Sequence, residues 1–148
     1  MKIALGADHA GFELKQQLGS ALRDWGHEII DLGTHEARTS VDYPDFGAAV
    51  GHCVAEGEAE LGVAVCGSGV GISIAANKVP GIRAALVHDV TSARLAREHN
   101  HANVLCMGAR LIGSAVAHDA LAAWLEASPG GGRHLGRIEK ISQLDCRA

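Results

Sequence analysis

The segment of residues 61–78, LGVAVCGSGVGISIAANK, contains the change of pattern that decides the fold. Its first part, Leu61–Cys66, is a nearly continuous apolar run, which is typical of a strand buried on both faces of a parallel sheet. A glycine-rich stretch follows at once, and the pattern then predicts a helix around Ile72–Lys78. The segment therefore predicts a strand, a tight turn and a helix, with a turn whose backbone can approach a ligand closely.

Apolar strands and helices alternate in the same way on both sides of this segment. The predicted strands are Lys2–Leu5, Glu28–Leu32, Leu61–Cys66, Arg83–Val87 and Val104–Met107, and the predicted helices are Phe12–Trp25, Pro44–Ala55, Ile72–Lys78, Thr91–Glu98, Ser114–Leu125 and Arg133–Leu144. This alternation predicts one domain, built on a parallel sheet that helices cover on both faces.

The length of 148 residues fits a single domain, and the composition excludes several classes of protein. With 13 basic against 17 acidic side chains, and two Trp, two Phe and one Tyr, the chain lacks the charge and the stacking residues of a nucleic-acid-binding protein. No apolar run approaches the roughly 18 residues of a membrane span. Asp8, His9 and Glu13 interrupt the start, where a secretory signal needs apolar residues. We expect a cytoplasmic protein with neither a membrane nor a nucleic-acid partner.

The four cysteines, Cys53, Cys66, Cys106 and Cys146, are far apart and form no CxxC pair, so they fit neither a zinc ribbon nor a thioredoxin motif. We expect free thiols. Cys66 precedes the glycine turn, where backbone N–H groups and a helix N-terminus would lower its pKa and make it a base or a nucleophile. The alternative is a small buried residue at the end of a strand. Cys53 and Cys106 are expected to pack in the core, and Cys146 to be incidental.

Ligands of open parallel sheets bind beyond the carboxyl ends of the strands, so the residues that follow each strand are the candidates for a site. Gly67, Ser68, Gly69 and Gly71 offer backbone N–H groups to an anion or a developing oxyanion, although their spacing fits neither the dinucleotide fingerprint nor a Walker loop. The pair Asp8–His9 follows the first strand and could face the same cleft. Alternatively, Asp8 caps the next helix.

Two further groups of residues are candidates for binding. The stretch His99–His101 closes a helix and could contribute to a site or be a surface group stabilised by the helix dipole. It has no partner at metal-ligand spacing, so we expect no metal. Arg110, Arg133 and Arg137 could bind a phosphate, and the last two would share a helix face. Their alternative interpretation is a solvated basic face.

Together these pieces resemble the type B ribose-5-phosphate isomerase family, which also contains galactose-6-phosphate isomerase subunits and allose-6-phosphate isomerases. The similarity runs from residue 3 to about residue 140. The matching segments are residues 6–12 (GADHAGF), 42–44 (DYP), 66–72 (CGSGVGI) with 75–78 (AANK), 99–100 (HN) with 103–105 (NVL), 108–110 (GAR) and 131–134 (GGRH) with Arg137.

The resemblance implies a three-layer α/β/α sandwich with a five-stranded parallel sheet of the Rossmann-like kind, formed by residues 1–148 as one domain. It also implies a homodimer or a dimer of dimers with shared active sites, and a C-terminal helix (about 133–145) packed on the partner subunit. The implied reaction is the interconversion of ribose 5-phosphate and ribulose 5-phosphate, a step of the pentose phosphate pathway, with no cofactor and no metal.

The family's residue roles can be carried over to matching positions. Cys66 would move the proton between the two carbons, and Ser68 would move a proton between the two oxygens while the Gly67–Gly71 amides hold the enediolate. His99 of a partner chain would open the sugar ring together with Asp8. The remaining implied substrate ligands are His9, Arg133, Arg137 and a partner's Arg110 for the phosphate, and Tyr43 and Asn100 for hydroxyl groups.

The chain departs from the family pattern at two positions. Some members use a glutamate where this chain has Ile72, so Cys66 is the sole candidate base, and many have threonine where this chain has Ser68. The alternatives to a ribose 5-phosphate isomerase are an isomerase of a hexose 6-phosphate or a tetrulose phosphate, a sugar-phosphate-binding module without turnover, and a thiol sensor that pairs Cys66 with Cys53 or Cys106.

Overall fold

The computed structural model describes residues 1–145, so Cys146 lies outside the described residues. The strands are β1 (Lys2–Ala7), β2 (Glu28–Asp31), β3 (Leu61–Cys66), β4 (Ala84–Leu86) and β5 (Val104–Gly108). The helices are α1 (Phe12–Asp24), α2 (Tyr43–Ala55), α3 (Val70–Ala76), α4 (Val90–Asn100), α5 (Ser114–Glu126) and α6 (Arg133–Ser142). None of these helices is long and apolar enough to span a membrane.

The five strands form one parallel sheet in the order β2-β1-β3-β5-β4. Helices α1, α4 and α5 pack on one face, and α2 and α3 pack on the other. The predicted α/β class and the three-layer arrangement with a five-stranded parallel sheet are thus confirmed. Every residue of β3 and β5 is buried, as expected for central strands with both faces covered.

Some strands end at other residues than predicted, because pairing with the neighbouring strand sets where each strand ends. β1 extends to Ala7 because Ala7 still pairs with Val65, and β5 extends to Gly108, which pairs with Cys66. The edge strand β4 is shorter than predicted. Its first predicted residue, Arg83, instead uses its N–H to donate to the Asn103 side chain, at 2.8 Å.

The free edge of β4 is covered by a side chain. The Asn77 amide donates to the carbonyl oxygen of Ala84 and accepts from its N–H, both at 2.8 Å. An unpaired strand edge invites pairing with another chain, so this amide occupies the positions that an additional strand would use.

A buried ion pair joins α1 to β2. The Lys15 ammonium lies 2.6 Å from the Asp31 carboxylate, and the Lys15 side chain is fully buried. Burial alone would raise the pKa of Asp31, but the hydrogen bonds from Lys15 and from the Gly33 N–H, together with the positive charges of Lys15 and His35, hold it below the ordinary value.

Replacing Asp31 with Asn leaves the buried ammonium without a charged partner, so we expect the free energy of unfolding at pH 7 to fall by about 3 kcal/mol. Because the pKa of Asp31 is lowered by folding, its stabilisation is complete above the unfolded pKa of about 4 and is lost as pH falls through the folded value. Urea unfolding from pH 3 to 7 should show a constant difference between wild type and D31N above about pH 5 that shrinks below about pH 4. A difference that grows on acidification would contradict this assignment.

Candidate active site

A cleft of about 340 Å³ opens at the carboxyl edge of the sheet, where β1, β3 and β5 end side by side. Most of its lining residues follow a strand directly, as expected for an open parallel sheet. The lining residues are Asp8, His9, Ala10, Tyr43, Cys66, Gly67, Ser68, Gly71, Arg110 and Leu111. Sequence patterns did not single out Ala10 and Leu111, although each is adjacent to a predicted site residue.

The glycine turn holds the Cys66 thiol at the base of this cleft. Cys66 is 3% exposed, and its Sγ accepts a hydrogen bond from the Gly69 N–H at 3.1 Å. The neighbouring Ser68 is exposed to the cleft, and its Oγ accepts from the Val70 N–H at 3.2 Å. The turn therefore presents a thiol and a hydroxyl to the same space.

Two glycines of this turn are required by close contacts. Gly69 has φ of +76°, and a Cβ there would lie 2.5 Å from Leu86 Cδ1 and 2.7 Å from the Met107 carbonyl carbon. A Cβ on Gly71 would lie 2.5 Å from the ring of Tyr43, so this glycine lets the tyrosine close one side of the cleft.

Asp8 and His9 directly follow β1 and also line the cleft. Asp8 is buried and its Oδ1 accepts from the Gly11 N–H at 3.0 Å, so it fixes the turn before α1 and also lines the cleft. His9 Nδ1 lies 3.1 Å from the Val41 backbone nitrogen. When Nδ1 accepts that N–H, the ring proton is on Nε2, which can then donate to a ligand.

Arg110 lines the cleft of its own chain, whereas the resemblance implied that Arg110 reaches the phosphate from a partner chain. The Arg110 N–H donates to the Gly67 carbonyl oxygen at 2.9 Å, and its guanidinium approaches the same glycine. The cause is the pairing of β5 with β3, which places the residues after both strands together. The positive charge of Arg110 therefore lies beside the Cys66 turn of the same chain.

Four predicted site residues, His99, Asn100, Arg133 and Arg137, do not line this cleft. Helix α4 begins after the carboxyl end of β4 and returns over 11 residues, about 16 Å, toward the start of β5. His99 and Asn100 at its end therefore lie near the amino edge of the sheet. Within one chain, these residues and Cys66 belong to opposite edges.

The amino-edge residues form a second cluster of polar and basic side chains. The rings of His99 and His134 are stacked, with centroids 4.5 Å apart and planes 12° apart. Burial, followed by the positive charges of His99, Arg133, Arg137 and His101, lowers the pKa of His134. The chain therefore carries one cluster with a thiol and a second cluster rich in cations.

The other described cysteines, Cys53 and Cys106, are buried free thiols. Burial raises the pKa of both, and the Glu58 carboxylate adds to the effect at Cys53. Cys66 pairs with Gly108 and Cys106 with Ala64, so the two cysteines are diagonal neighbours. Parallel strands lie about 4.8 Å apart and two residues span about 6.6 Å, so the two Cα atoms are about 8 Å apart, which a disulfide does not bridge without backbone movement. This geometry disfavours the thiol-sensor alternative for that pair.

Within residues 1–145, no group of three or more His, Cys, Asp or Glu side chains is arranged to hold a metal ion. A buried thiol with an N–H donor, an adjacent hydroxyl and a nearby guanidinium can together move protons next to a carbonyl group and stabilise the resulting oxyanion.

A family model described as Ribose/Galactose Isomerase matches residues 3–141. The chain belongs to this family. It is 46% identical to ribose-5-phosphate isomerase B of Escherichia coli (strain K12) over 146 residues, which are 99% of this chain and 97% of that protein. It is 48% identical over 128 residues to the galactose-6-phosphate isomerase subunit LacB of Clostridium acetobutylicum, covering 86% of this chain and 73% of that protein.

Solved structures of the family have the same fold. The ribose-5-phosphate isomerase B of Clostridium thermocellum superposes with a TM-score of 0.97 at 49% identity, and the match covers 99% of both chains. The resemblance to type B ribose-5-phosphate isomerases is thus confirmed, and the family supports sugar-phosphate isomerisation, an aldose–ketose isomerase activity.

Replacing Gly69 with Ala should destabilise the protein more than replacing Gly57, although both glycines have φ of +76°. Alanine at Gly57 has nothing within 4 Å of its Cβ and should cost only the left-handed conformation, about 1–2 kcal/mol. Alanine at Gly69 adds the contacts with Leu86 and β5, for a further loss of about 1–3 kcal/mol. Urea unfolding of both variants measures the difference, and equal losses would show that the turn is not tightly packed on β5.

Proposed function

We propose that the protein interconverts ribose 5-phosphate and ribulose 5-phosphate through an enediolate, with Cys66 as the base. The observation that carries this proposal is the Cys66 thiol, held by the Gly69 N–H in a cleft that also contains the Ser68 hydroxyl. Such an isomerisation needs one base that serves two adjacent carbons, and a group that moves a proton between two adjacent oxygens.

In the proposed reaction the Cys66 thiolate removes the proton from carbon 2 of the open-chain aldose. The C–H electron pair forms the C1–C2 double bond of the enediolate, and the carbonyl π electrons move to oxygen 1. Ser68 passes a proton from oxygen 2 to oxygen 1, and the thiol returns its proton to carbon 1 to give the ketose. The backbone N–H groups of Gly67–Gly71 that are not used within the turn stabilise the negative oxygens. No electrons leave the sugar, so the reaction needs no redox cofactor.

The phosphate supplies binding energy that orients the reacting carbons. We assign it to His9 and Arg110, which line the cleft and can donate to phosphate oxygens. Tyr43 also lines the cleft and is assigned to a substrate hydroxyl. Asp8, buried against Gly11, is assigned to ring opening.

A second copy of the chain completes the proposed site. His99, Asn100, Arg133 and Arg137 lie at the other edge of the sheet, and a two-fold symmetric pair can bring each such cluster to the cleft of its partner. In that arrangement His99 assists ring opening, Asn100 binds a hydroxyl group and the two arginines bind the phosphate. The observation that favours this assembly is that each chain carries two separate clusters of polar side chains, one in the cleft and one around His99 and His134.

Helix α6 supports the same assembly. No residue of α6 is buried in the single chain, and its apolar Leu135 and Ile141 are 54% and 40% exposed. Apolar side chains repeated along one helix commonly mark a contact surface. We propose that this surface of α6 packs against the partner subunit of a homodimer or a dimer of dimers.

The chemistry of the cleft fits more than one sugar phosphate. Ribose 5-phosphate is preferred because the Escherichia coli relative is named for it, and the match covers nearly all of both chains. A hexose 6-phosphate is the second candidate because one relative is named a galactose-6-phosphate isomerase subunit. A tetrulose phosphate is the third because another relative is named a D-erythrulose-4-phosphate isomerase. The cytoplasmic location stays a prediction from the sequence.

Incubation with ribose 5-phosphate in D₂O tests the reaction. The wild type should form ribulose 5-phosphate with deuterium at the transferred position, because a thiol exchanges its proton with solvent. Cys66→Ala should reduce kcat by about 10²–10⁴-fold, whereas the buried control Cys53→Ala should stay within about twofold of wild type. Proton NMR follows product and label together. Full activity of C66A would exclude Cys66 as the base. Turnover of a hexose 6-phosphate but not of ribose 5-phosphate would show that the proposed substrate is wrong.

Mixing of inactive variants tests the shared site. Cys66→Ala and His99→Ala damage different half-sites, so random dimers of the two should recover about a quarter of wild-type activity, because half of them contain one intact site. In the control mixture, Cys66→Ala and Arg110→Ala both damage the cleft, so each chain of every mixed dimer has a damaged cleft. This mixture should recover no activity. Recovery in neither mixture would contradict the assignment of His99 to the partner.

A further inference from the structure

Lys15 is a fully buried cation that the proposed reaction does not use. Taking an ammonium out of water costs several kcal/mol, and an apolar side chain of similar volume would often pack as well or better. The contacts of the ammonium therefore indicate what the charge does in this fold.

The Lys15 ammonium is fully engaged by three partners. It donates to Asp31 Oδ1 at 2.6 Å and to the Thr34 carbonyl oxygen at 2.8 Å, and it lies 5.6 Å from the centre of the Phe12 ring. Asp31 Oδ1 also accepts from the Gly33 N–H at 3.0 Å. The ion pair thus holds both residues that begin the segment of residues 33–42, here called the 33–42 loop.

The 33–42 loop is joined in turn to the residue that precedes Asp8. The Thr34 N–H donates to the Ala7 carbonyl oxygen at 2.6 Å, and the Ala7 N–H donates to the Gly33 carbonyl oxygen at 2.7 Å. From the other side, the Lys15 N–H donates to the Gly11 carbonyl oxygen at 2.8 Å. Hydrogen bonds therefore connect Lys15 to both ends of the turn formed by residues 8–11.

The far end of the 33–42 loop returns to the same turn. His9 Nδ1 lies 3.1 Å from the Val41 backbone nitrogen and 3.3 Å from the Val41 carbonyl oxygen, so the Val41 backbone sets both the orientation of the ring and the balance of its tautomers. Residues 35–40 between the two anchors are exposed. The 33–42 loop therefore joins the Lys15 contact at Thr34 to the His9 contact at Val41.

We infer that Lys15 is a positioning residue for His9 and Asp8, acting through its hydrogen bond to the Thr34 carbonyl oxygen. The inference rests on the proposed function for its kinetic consequence, because His9 is there assigned to the phosphate. Its structural consequence, the tautomer and orientation of the His9 ring, is independent of the substrate.

Two variants separate positioning from simple stabilisation. Lys15→Met removes the donor to Thr34, whereas Asp31→Asn removes the ion pair but retains an oxygen for Gly33 and leaves the ammonium bound to Thr34. Both should lower the free energy of unfolding. The double variant K15M/D31N contains no unpaired charge and is the replacement for K15M if that chain does not fold.

Kinetics and histidine NMR are measured on folded protein, at a temperature below the unfolding transition of every variant. We expect kcat/KM for ribose 5-phosphate to fall by about tenfold to a hundredfold in K15M, mainly through KM. D31N should stay within about threefold of wild type. The ¹⁵N shifts of His9 should report the same tautomer balance in wild type and D31N, and a changed tautomer balance in K15M.

The two readouts distinguish failure of the inference from failure of the proposed function. An active wild type with equal losses in K15M and D31N, and an unchanged His9 spectrum in K15M, overturns the positioning role. A wild type that is inactive on ribose 5-phosphate contradicts the proposed substrate. In that case a changed His9 spectrum in K15M but not in D31N still supports the inference, and an unchanged one overturns it.

Discussion

The pairing of β3 with β5 is the contact on which the candidate site depends. Cys66 lies opposite Gly108, and a Cβ on Gly108 would be 2.4 Å from the Ser68 carbonyl oxygen, so the glycine turn packs directly on the end of β5. The Ala109 and Arg110 N–H groups then donate back to the Cys66 and Gly67 carbonyl oxygens, both at 2.9 Å. Thiol, hydroxyl and guanidinium are brought together by backbone contacts of two buried strands, which are the most rigid part of such a fold.

The sequence predicts which segments are strands or helices, and where the cleft lies, because both follow from the local pattern of apolar and polar residues. Continuous apolar runs mark strands such as Leu61–Cys66, and the residues directly after parallel strands meet at one edge. The position of Arg110 beside Cys66 of the same chain could not be predicted, because it depends on β5 being the neighbour of β3 although β4 precedes it in the chain. Lys15 was missed because a lysine at a buried helical position looks like a surface residue until its partners in β2 and the 33–42 loop are known.

The direction of the strands explains why one chain presents two separate clusters. Residues that end a strand and residues that end the following helix are placed at opposite edges of a parallel sheet, so Cys66 and His99 are kept apart by topology and not by loop flexibility. A small shift cannot join them within a chain. The proposed two-fold assembly uses both clusters, and it also covers the exposed apolar side chains of α6.

The most direct test of this account is a crystal structure of the protein with ribose 5-phosphate. The account predicts that Cys66 Sγ lies about 3–3.5 Å from the carbons that exchange the proton, with the phosphate between His9 and Arg110 of one chain and Arg133 and Arg137 of another. A sugar bound at the carboxyl edge of the sheet but with its reacting carbons remote from Cys66, or a site complete within one chain, would contradict it.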